Sequence, residues 1–234
     1  MTQAGTTALA AAMLGAGYLC ALCATPPNPS PDRKNRHQTD RISFIAGSGA
    51  TIVRRLAITA ITYHALLTAL PVYAPQRISQ MCPRPHNLNP DLFSWSLPAI
   101  AGIALICLGA LVRLAAYGGL SRNFTFHLAA PDKLVTSGVY GWVQHPSYTG
   151  LVLIGFGVAS VFCRWDGVPA CWISEDTLAR WSGWGMGVLG GYIAGAICVL
   201  LLRVRDEEEM LRGRFGKGWE EWHRSTKRFI PGIL

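Results

Sequence analysis

The sequence predicts an all-α integral membrane protein with about five transmembrane helices, and three observations carry that prediction. Half of the 234 residues are hydrophobic and only 15% are charged, with a mean hydropathy of +0.27, a balance too apolar for an ordinary soluble domain. Stretches close to the roughly 20 residues needed to cross a bilayer recur along the chain. The basic residues crowd into alternate loops, the pattern that fixes membrane orientation.

The spans are expected at residues 6–24, 56–73, 97–117, 148–162 and 181–202. The first lacks a basic flank before it, so it reads as a span rather than a cleaved signal. It carries Cys20 and Cys23, a lone C-x-x-C without a second pair, which reads as buried small residues more than as a zinc or redox site. The seven cysteines are scattered, and no disulfide framework is expected. PPNPSPDRKNRHQ, residues 26–38, is a polar, proline-rich connector expected to be extended and mobile.

The second and third spans hold His64 and Arg113. An ionisable group inside a span points to function unless it is hydrogen-bonded in place or snorkels to the surface. The fourth span is short. The fifth carries Gly183, Gly187, Gly191 and Gly195, a four-residue ridge that admits close approach of another helix, either within the chain or in a homodimer.

Orientation follows from charge. Arg33, Lys34, Arg36, Arg41, Arg54 and Arg55 fall between spans one and two, and Arg122 and Lys133 between three and four. Arg203, Arg205, Arg212, Arg214, Lys217, Arg224, Lys227 and Arg228 follow span five, whereas the opposite loops hold only Arg77, Arg84, Arg164 and Arg180. A luminal N-terminus and a cytosolic C-terminus satisfy every loop. The net charge of +8 is then a topology signal that also attracts anionic lipid heads. Nucleic-acid binding is excluded as a reading, because the basic residues flank spans and form no separate basic domain. The sequon Asn123-Phe124-Thr125 falls on the cytosolic side, so sugar on Asn123 would overturn this topology.

Two segments carry chemistry. GVYGWVQHPSYTG, residues 138–150, sets a His-Pro pair among Tyr140, Trp142 and Tyr148 just before an uncharged run. In RVRDEEEMLRGRFGKGWEEW, residues 203–222, Arg203, Glu207, Leu211, Phe215 and Trp219 are four apart and share one helical face, with Trp222 close by. That face passes from a cation and a carboxylate to an aromatic stripe. It predicts an interfacial helix whose apolar part lies on the membrane and whose charged first turn closes a site at the mouth. The plainer reading is a solvated run of charge. Gly213, Gly216 and Gly218 weaken the helix beyond Leu211.

Taken together, LVTSGVYGWVQHPSYTG (134–150), the span after it, EEEMLRGRFGKGWEEW (207–222) and IP (230–231) resemble the isoprenylcysteine carboxyl methyltransferase family (protein-S-isoprenylcysteine O-methyltransferases). The resemblance covers about the last half of the chain. H-P-x-Y and E-E are shared across a wider superfamily of membrane methyltransferases and sterol reductases, but LVTSGVY is closest to the prenylcysteine branch. It separates residues 1–117, membrane helices and connector, from a methyltransferase core at 118–234.

The resemblance implies S-adenosyl-L-methionine as methyl donor and the C-terminal carboxylate of prenylated cysteine as acceptor, at the endoplasmic reticulum membrane. The C-terminal helix would close a cytosolic cofactor pocket. By position, Lys133, Leu134, Val135, Tyr140, His145, Pro146, Ser147 and Tyr148 would line the donor pocket. Glu207 would accept from the donor's ammonium, and Arg203 would hold the acceptor's carboxylate. No metal is expected. An ammonium and a carboxylate in a partly dry site need charged partners, and these two residues supply one of each sign.

The chain departs from the family at Gln144, where an Arg is usual, and at Trp219 and Trp222, which replace tyrosines. The Gln144 departure keeps two other readings open: a phospholipid N-methyltransferase-like lipid enzyme, and a non-catalytic membrane scaffold assembled through the glycine ridge.

Overall fold

The computed structural model describes residues 2–233 except Arg33, Asn35, Gln38, Thr39, Arg41, Ile42 and Phe44. Arg33 and Arg41, counted in the charge argument, and Gln38 of the connector therefore lie outside the described residues. Among the described residues seven α-helices follow in order: α1 Gln3–Cys23, α2 Ala50–Tyr73, α3 Ile78–Met81, α4 Leu97–Leu120, α5 Pro146–Val161, α6 Glu175–Phe215 and α7 Lys217–Ser225. Among the described residues the β-structure is an isolated parallel bridge, Val143 with Lys227.

Among the described residues four helical segments are long and apolar enough to cross a membrane: Gln3–Cys23, Ala46–Tyr73, Leu97–Asn123 and Glu175–Phe215. This is a multi-pass membrane protein. The expected fourth span, α5, has 16 residues, about 24 Å of helix, short of a hydrocarbon core near 30 Å. The expected fifth span and the charged tail are one helix, since the 41 residues of α6 extend about 60 Å, roughly twice that core. The glycines doubted beyond Leu211 do not break it at once. The break comes at Gly216, whose φ of +52° is a conformation a side chain disfavours, and α7 starts at the next residue.

The chain forms two compact units, to both of which α4, α5 and α6 contribute. The first comprises Met1–Leu22, Arg54–Cys107 and Leu153–Ala194. There α1 meets α2 where Gly17 lies against Ile61, and α4 meets α5 so closely that a Cβ on Gly157 would stand 2.5 Å from the Gly102 carbonyl oxygen. Buried His64 bonds through Nε2 to the Leu92 carbonyl at 2.8 Å and stacks on Phe93 with ring centres 4.1 Å apart, so it is held in place as a core residue.

Two expectations are corrected in this unit. Cys82 and Cys171 form a disulfide, buried in a cluster with Leu67 and Leu70, whereas scattered, unbridged cysteines were expected. Sequence scatter hid it because the two residues are 89 apart and meet only through the fold. Among the described residues the α6 ridge also meets nothing beyond its own helix: no such atom lies within 4 Å of the Cβ position at Gly183, Gly187 or Gly191, nor at Gly195 in the second unit. Close approach occurs on the opposite face, where Trp165 covers Gly185.

The second unit comprises Cys23–Val53, Leu108–Val152 and Gly195–Leu234. Its apolar centre joins Ala116, Leu128, Tyr140, Met210, Leu211, Trp219 and Trp222. Trp219 and Trp222 are thus buried at 6% and 8% exposure, so the aromatic stripe expected to lie on the membrane is covered by the chain's own residues. The proline-rich connector is likewise tied down rather than detached. Asn28 donates to the Ser121 and Phe124 carbonyls at 2.7 and 2.9 Å, and the His37 N–H to the Leu128 carbonyl at 2.8 Å.

Candidate active site

The site is assembled in the second unit around the His-Pro turn. Backbone bonds stitch that turn to the tail: the Gln144 N–H donates to the Lys227 carbonyl at 2.8 Å and the His145 N–H to Arg228 at 2.9 Å. Pro146 keeps His145 extended, as such pairing requires, and is itself suited to open α5 because its missing N–H would have no helical partner. The Thr149 hydroxyl adds a bond to the Phe229 carbonyl at 3.0 Å.

Across from this turn, α6 presents consecutive carboxylates to different partners. The Tyr148 hydroxyl donates to Glu207 at 2.6 Å. Glu208 instead takes both His145 Nε2, at 3.2 Å, and the Arg228 guanidinium, through two contacts of 2.8 Å. One turn before Glu207, Arg203 forms an ion pair with Asp40 and donates to the Phe126 carbonyl. The side chains of that pair are only 8% and 4% exposed.

The other predicted residues separate into groups. Tyr140 is buried, its hydroxyl on the Ala116 carbonyl at 3.3 Å and its own carbonyl receiving the Trp222 indole N–H at 3.1 Å. Burial, reinforced by the Glu207 charge, raises its pKa beyond the usual tyrosine range, so it remains a neutral phenol. Leu134 and Val135 pack on the apolar cluster beneath it. Lys133 is exposed. Ser147 is directed to Arg113, whose Nη1 donates to its hydroxyl at 2.6 Å.

Arg113 was marked by the sequence only as an intramembrane charge. It does not snorkel: at 5% exposure it also donates to the Cys23 carbonyl at 2.8 Å and lies 5.1 Å from the Tyr117 ring centre. It therefore fixes the start of α5 from below. Asp40 was missed altogether. Its signal was a carboxylate close before a span in a chain whose buried arginine needs a counter-charge.

Gln144 is explained by the same geometry. Buried at 3% exposure, its amide donates to the His223 and Thr226 carbonyls while its oxygen accepts from His223 Nδ1 at 2.8 Å. An arginine has no acceptor and could not make the last bond. The departure from the family pattern is thus a packing residue of the tail.

Residues 102–174 match the isoprenylcysteine carboxyl methyltransferase family model. The protein-S-isoprenylcysteine O-methyltransferase of Xenopus laevis is 28% identical over 152 residues, 63% of this chain and 45% of that protein. The Dictyostelium discoideum enzyme of the same name is 28% identical over 149 residues, 62% of this chain and 53% of that one. The human one is 32% identical over 90 residues, 36% and 30%.

Over residues 102–174 the chain is similar to the isoprenylcysteine carboxyl methyltransferase family. Its match spans about half, or less, of these relatives' length. No solved structure matches. The family match ends at residue 174, so the tail carrying Arg203 and Glu207 is joined to the family motif here by geometry, through the Tyr148 bond to Glu207 and the backbone bonds from 144 and 145 to the tail.

Glu207 is half-buried and accepts from the Tyr148 hydroxyl, on a carboxylate that can accept several bonds; a cationic ammonium is its natural complement. A cleft of about 560 Å³ opens nearby among Arg205, Glu208, Trp219, His223 and Arg228, but neither Arg203 nor Glu207 lines it. Among the described residues no cluster is suited to a metal ion.

Proposed function

We propose that this protein methylates the C-terminal carboxylate of prenylated cysteine, using S-adenosylmethionine as donor. The observation that carries the reading is the convergence of Tyr148 of the His-Pro turn, Glu207 and Arg203 where α6 leaves its apolar segment. Bound S-adenosylmethionine supplies an activated methyl group. Glu207, oriented by Tyr148, would hold the donor's ammonium, and Arg203 would take the acceptor's carboxylate. His145, locked to Glu208, holds the turn in place.

No general base is required, which agrees with a site whose buried phenol stays protonated. An α-carboxyl group has a reference pKa of about 3.5 and is already an anion at neutral pH. Its oxygen forms the new bond to the methyl carbon as the carbon–sulfur bond breaks, and anion and sulfonium both become neutral. Alignment and exclusion of water then supply the acceleration.

The membrane setting fits the acceptor, since a prenyl chain gains roughly 0.8 kcal/mol per buried CH₂ on entering lipid. The charge pattern, with α5 counted as a crossing despite its length, supports a cytosolic side for the motifs, where a polar donor is available. The Cys82–Cys171 bond joins the two basic-poor loops, and disulfides persist in oxidising compartments such as the endoplasmic reticulum lumen; this supports that membrane and that orientation. The test is incubation of membranes containing the protein with methyl-labelled S-adenosylmethionine and a farnesylated cysteine analogue. Label should be released as methanol by alkali, and lost in Arg203→Ala and Glu207→Ala. Label that resists alkali would identify an amine acceptor, and no incorporation by folded protein with either a farnesyl or a geranylgeranyl analogue would end the reading.

A further inference from the structure

Arg203, the residue the proposed function gives to the acceptor carboxylate, already holds a carboxylate. Its guanidinium pairs with Asp40 and donates to the Phe126 carbonyl, and the Asp40 side chain is 4% exposed. Asp40 is delivered there by a built docking. The connector's His37 N–H donates to the Leu128 carbonyl at 2.8 Å, and the Leu128 N–H returns to Asp40 Oδ2 at 3.2 Å. One short segment, 126–128, therefore receives both the arginine and its counter-ion.

We propose that Asp40 is an internal surrogate for the substrate carboxylate, displaced when the acceptor binds and returning when the ester is made. The inference rests on the proposed function. A buried guanidinium stripped of its partner is strongly unfavourable, so an empty acceptor site needs its own anion. Exchange of one carboxylate for another leaves no charge unpaired at either end of the step. Methyl transfer cancels the acceptor's charge, and a neutral ester cannot compensate Arg203. Asp40 regains its pairing as the ester leaves, so substrate and product are discriminated by charge at one residue. Asp40 follows the polar connector by two residues, and a carboxylate side chain can pass to water without exposing apolar surface.

The test compares a farnesylcysteine analogue with its methyl ester. Asp40→Asn should bind the carboxylate form about tenfold tighter or more, one decade being about 1.4 kcal/mol, with ester affinity unchanged. In the wild-type protein, the Leu128 amide should exchange hydrogen faster when the carboxylate form is bound and at its resting rate with the ester. This second measurement decides the matter if Asp40→Asn does not fold. Weaker carboxylate binding by Asp40→Asn, or a Leu128 amide equally or better protected in the carboxylate complex, would make Asp40 a fixed positioning residue and overturn the exchange. Those results leave methylation by the wild-type protein intact. Failure of the wild-type protein to bind or methylate either analogue would instead sink the proposed function, and this inference with it.

Discussion

Replacing Gly150 by alanine tests how tightly the donor-side turn is set. A Cβ at this position would stand 2.6 Å from the Gly109 carbonyl oxygen, 2.8 Å from Arg113 Cβ and 2.9 Å from the Arg113 backbone nitrogen. Two of those three are backbone atoms that cannot rotate away. To restore ordinary contacts of about 3.4 Å, α5 must back away from α4 by roughly 0.5 to 0.8 Å, an overpacking that costs about 1–3 kcal/mol. Gly150 lies in the same turn as Tyr148, whose bond to Glu207 is 2.6 Å; the same displacement stretches it toward a length where hydrogen bonds fail. Since a misplacement near 1 Å costs about 100-fold in rate, methyl transfer should fall by roughly 10- to 100-fold. The control is Gly187→Ala, where nothing lies within 4 Å and helix propensity favours alanine by up to about 1 kcal/mol. Thermal unfolding of the detergent-purified variants, with label transfer in parallel, measures both. Gly150→Ala as stable and as active as wild type would refute the packing argument.

Tyr148→Phe and Glu207→Gln should each weaken S-adenosylmethionine binding by about 10- to 100-fold, the worth of a hydrogen bond to a charged group. Their double variant should lose less than the sum in a calorimetric titration, because they act through one contact. Cys82→Ser should lower stability by about 2–4 kcal/mol, Cys171→Ser should add nothing to it, and reductant should reproduce the loss in the wild-type protein alone. Protonation of His223 is disfavoured by burial and by the cations Arg228 and Arg212, against the pull of Glu208, so its pKa lies below the usual 6.5. Between those two values the unfolded chain binds the proton that the folded chain refuses. Stability should therefore be full above about pH 6.5 and decline as pH falls below it. His223→Gln should flatten that limb in melting curves across the pH range.

Much of the fold was legible because a bilayer imposes length and apolarity on any helix that crosses it. The long spans answer to composition alone. What composition could not show was which small residues serve contact. Gly183, Gly187, Gly191 and Gly195 repeat at the helical period yet face open space. Gly102, Gly150 and Gly157, with no comparable repeat in one helix, bring α4 and α5 together. Periodicity marks a face, but only the partner's position tells whether that face is used. The same holds for Cys82 and Cys171, distant in sequence and joined only once the connecting loops meet.

The site was legible where one motif predicts another and opaque where a partner comes from unrelated sequence. Arg203 and Glu207 could be placed on a shared face by their spacing, but the run from 206 to 209 reads in composition as a single block of solvated charge. Helix geometry turns successive residues by about 100° and separates that block. Asp206 is buried at 1% exposure, Glu207 goes to Tyr148, Glu208 to His145 and Arg228, and Glu209 to solvent. Each carboxylate thus meets a different environment, which is how four adjacent acids escape being a mere repulsive cluster. Asp40 completes the arrangement from two residues beyond the polar connector. Its position follows from an obligation the sequence does state: a buried arginine must find an anion.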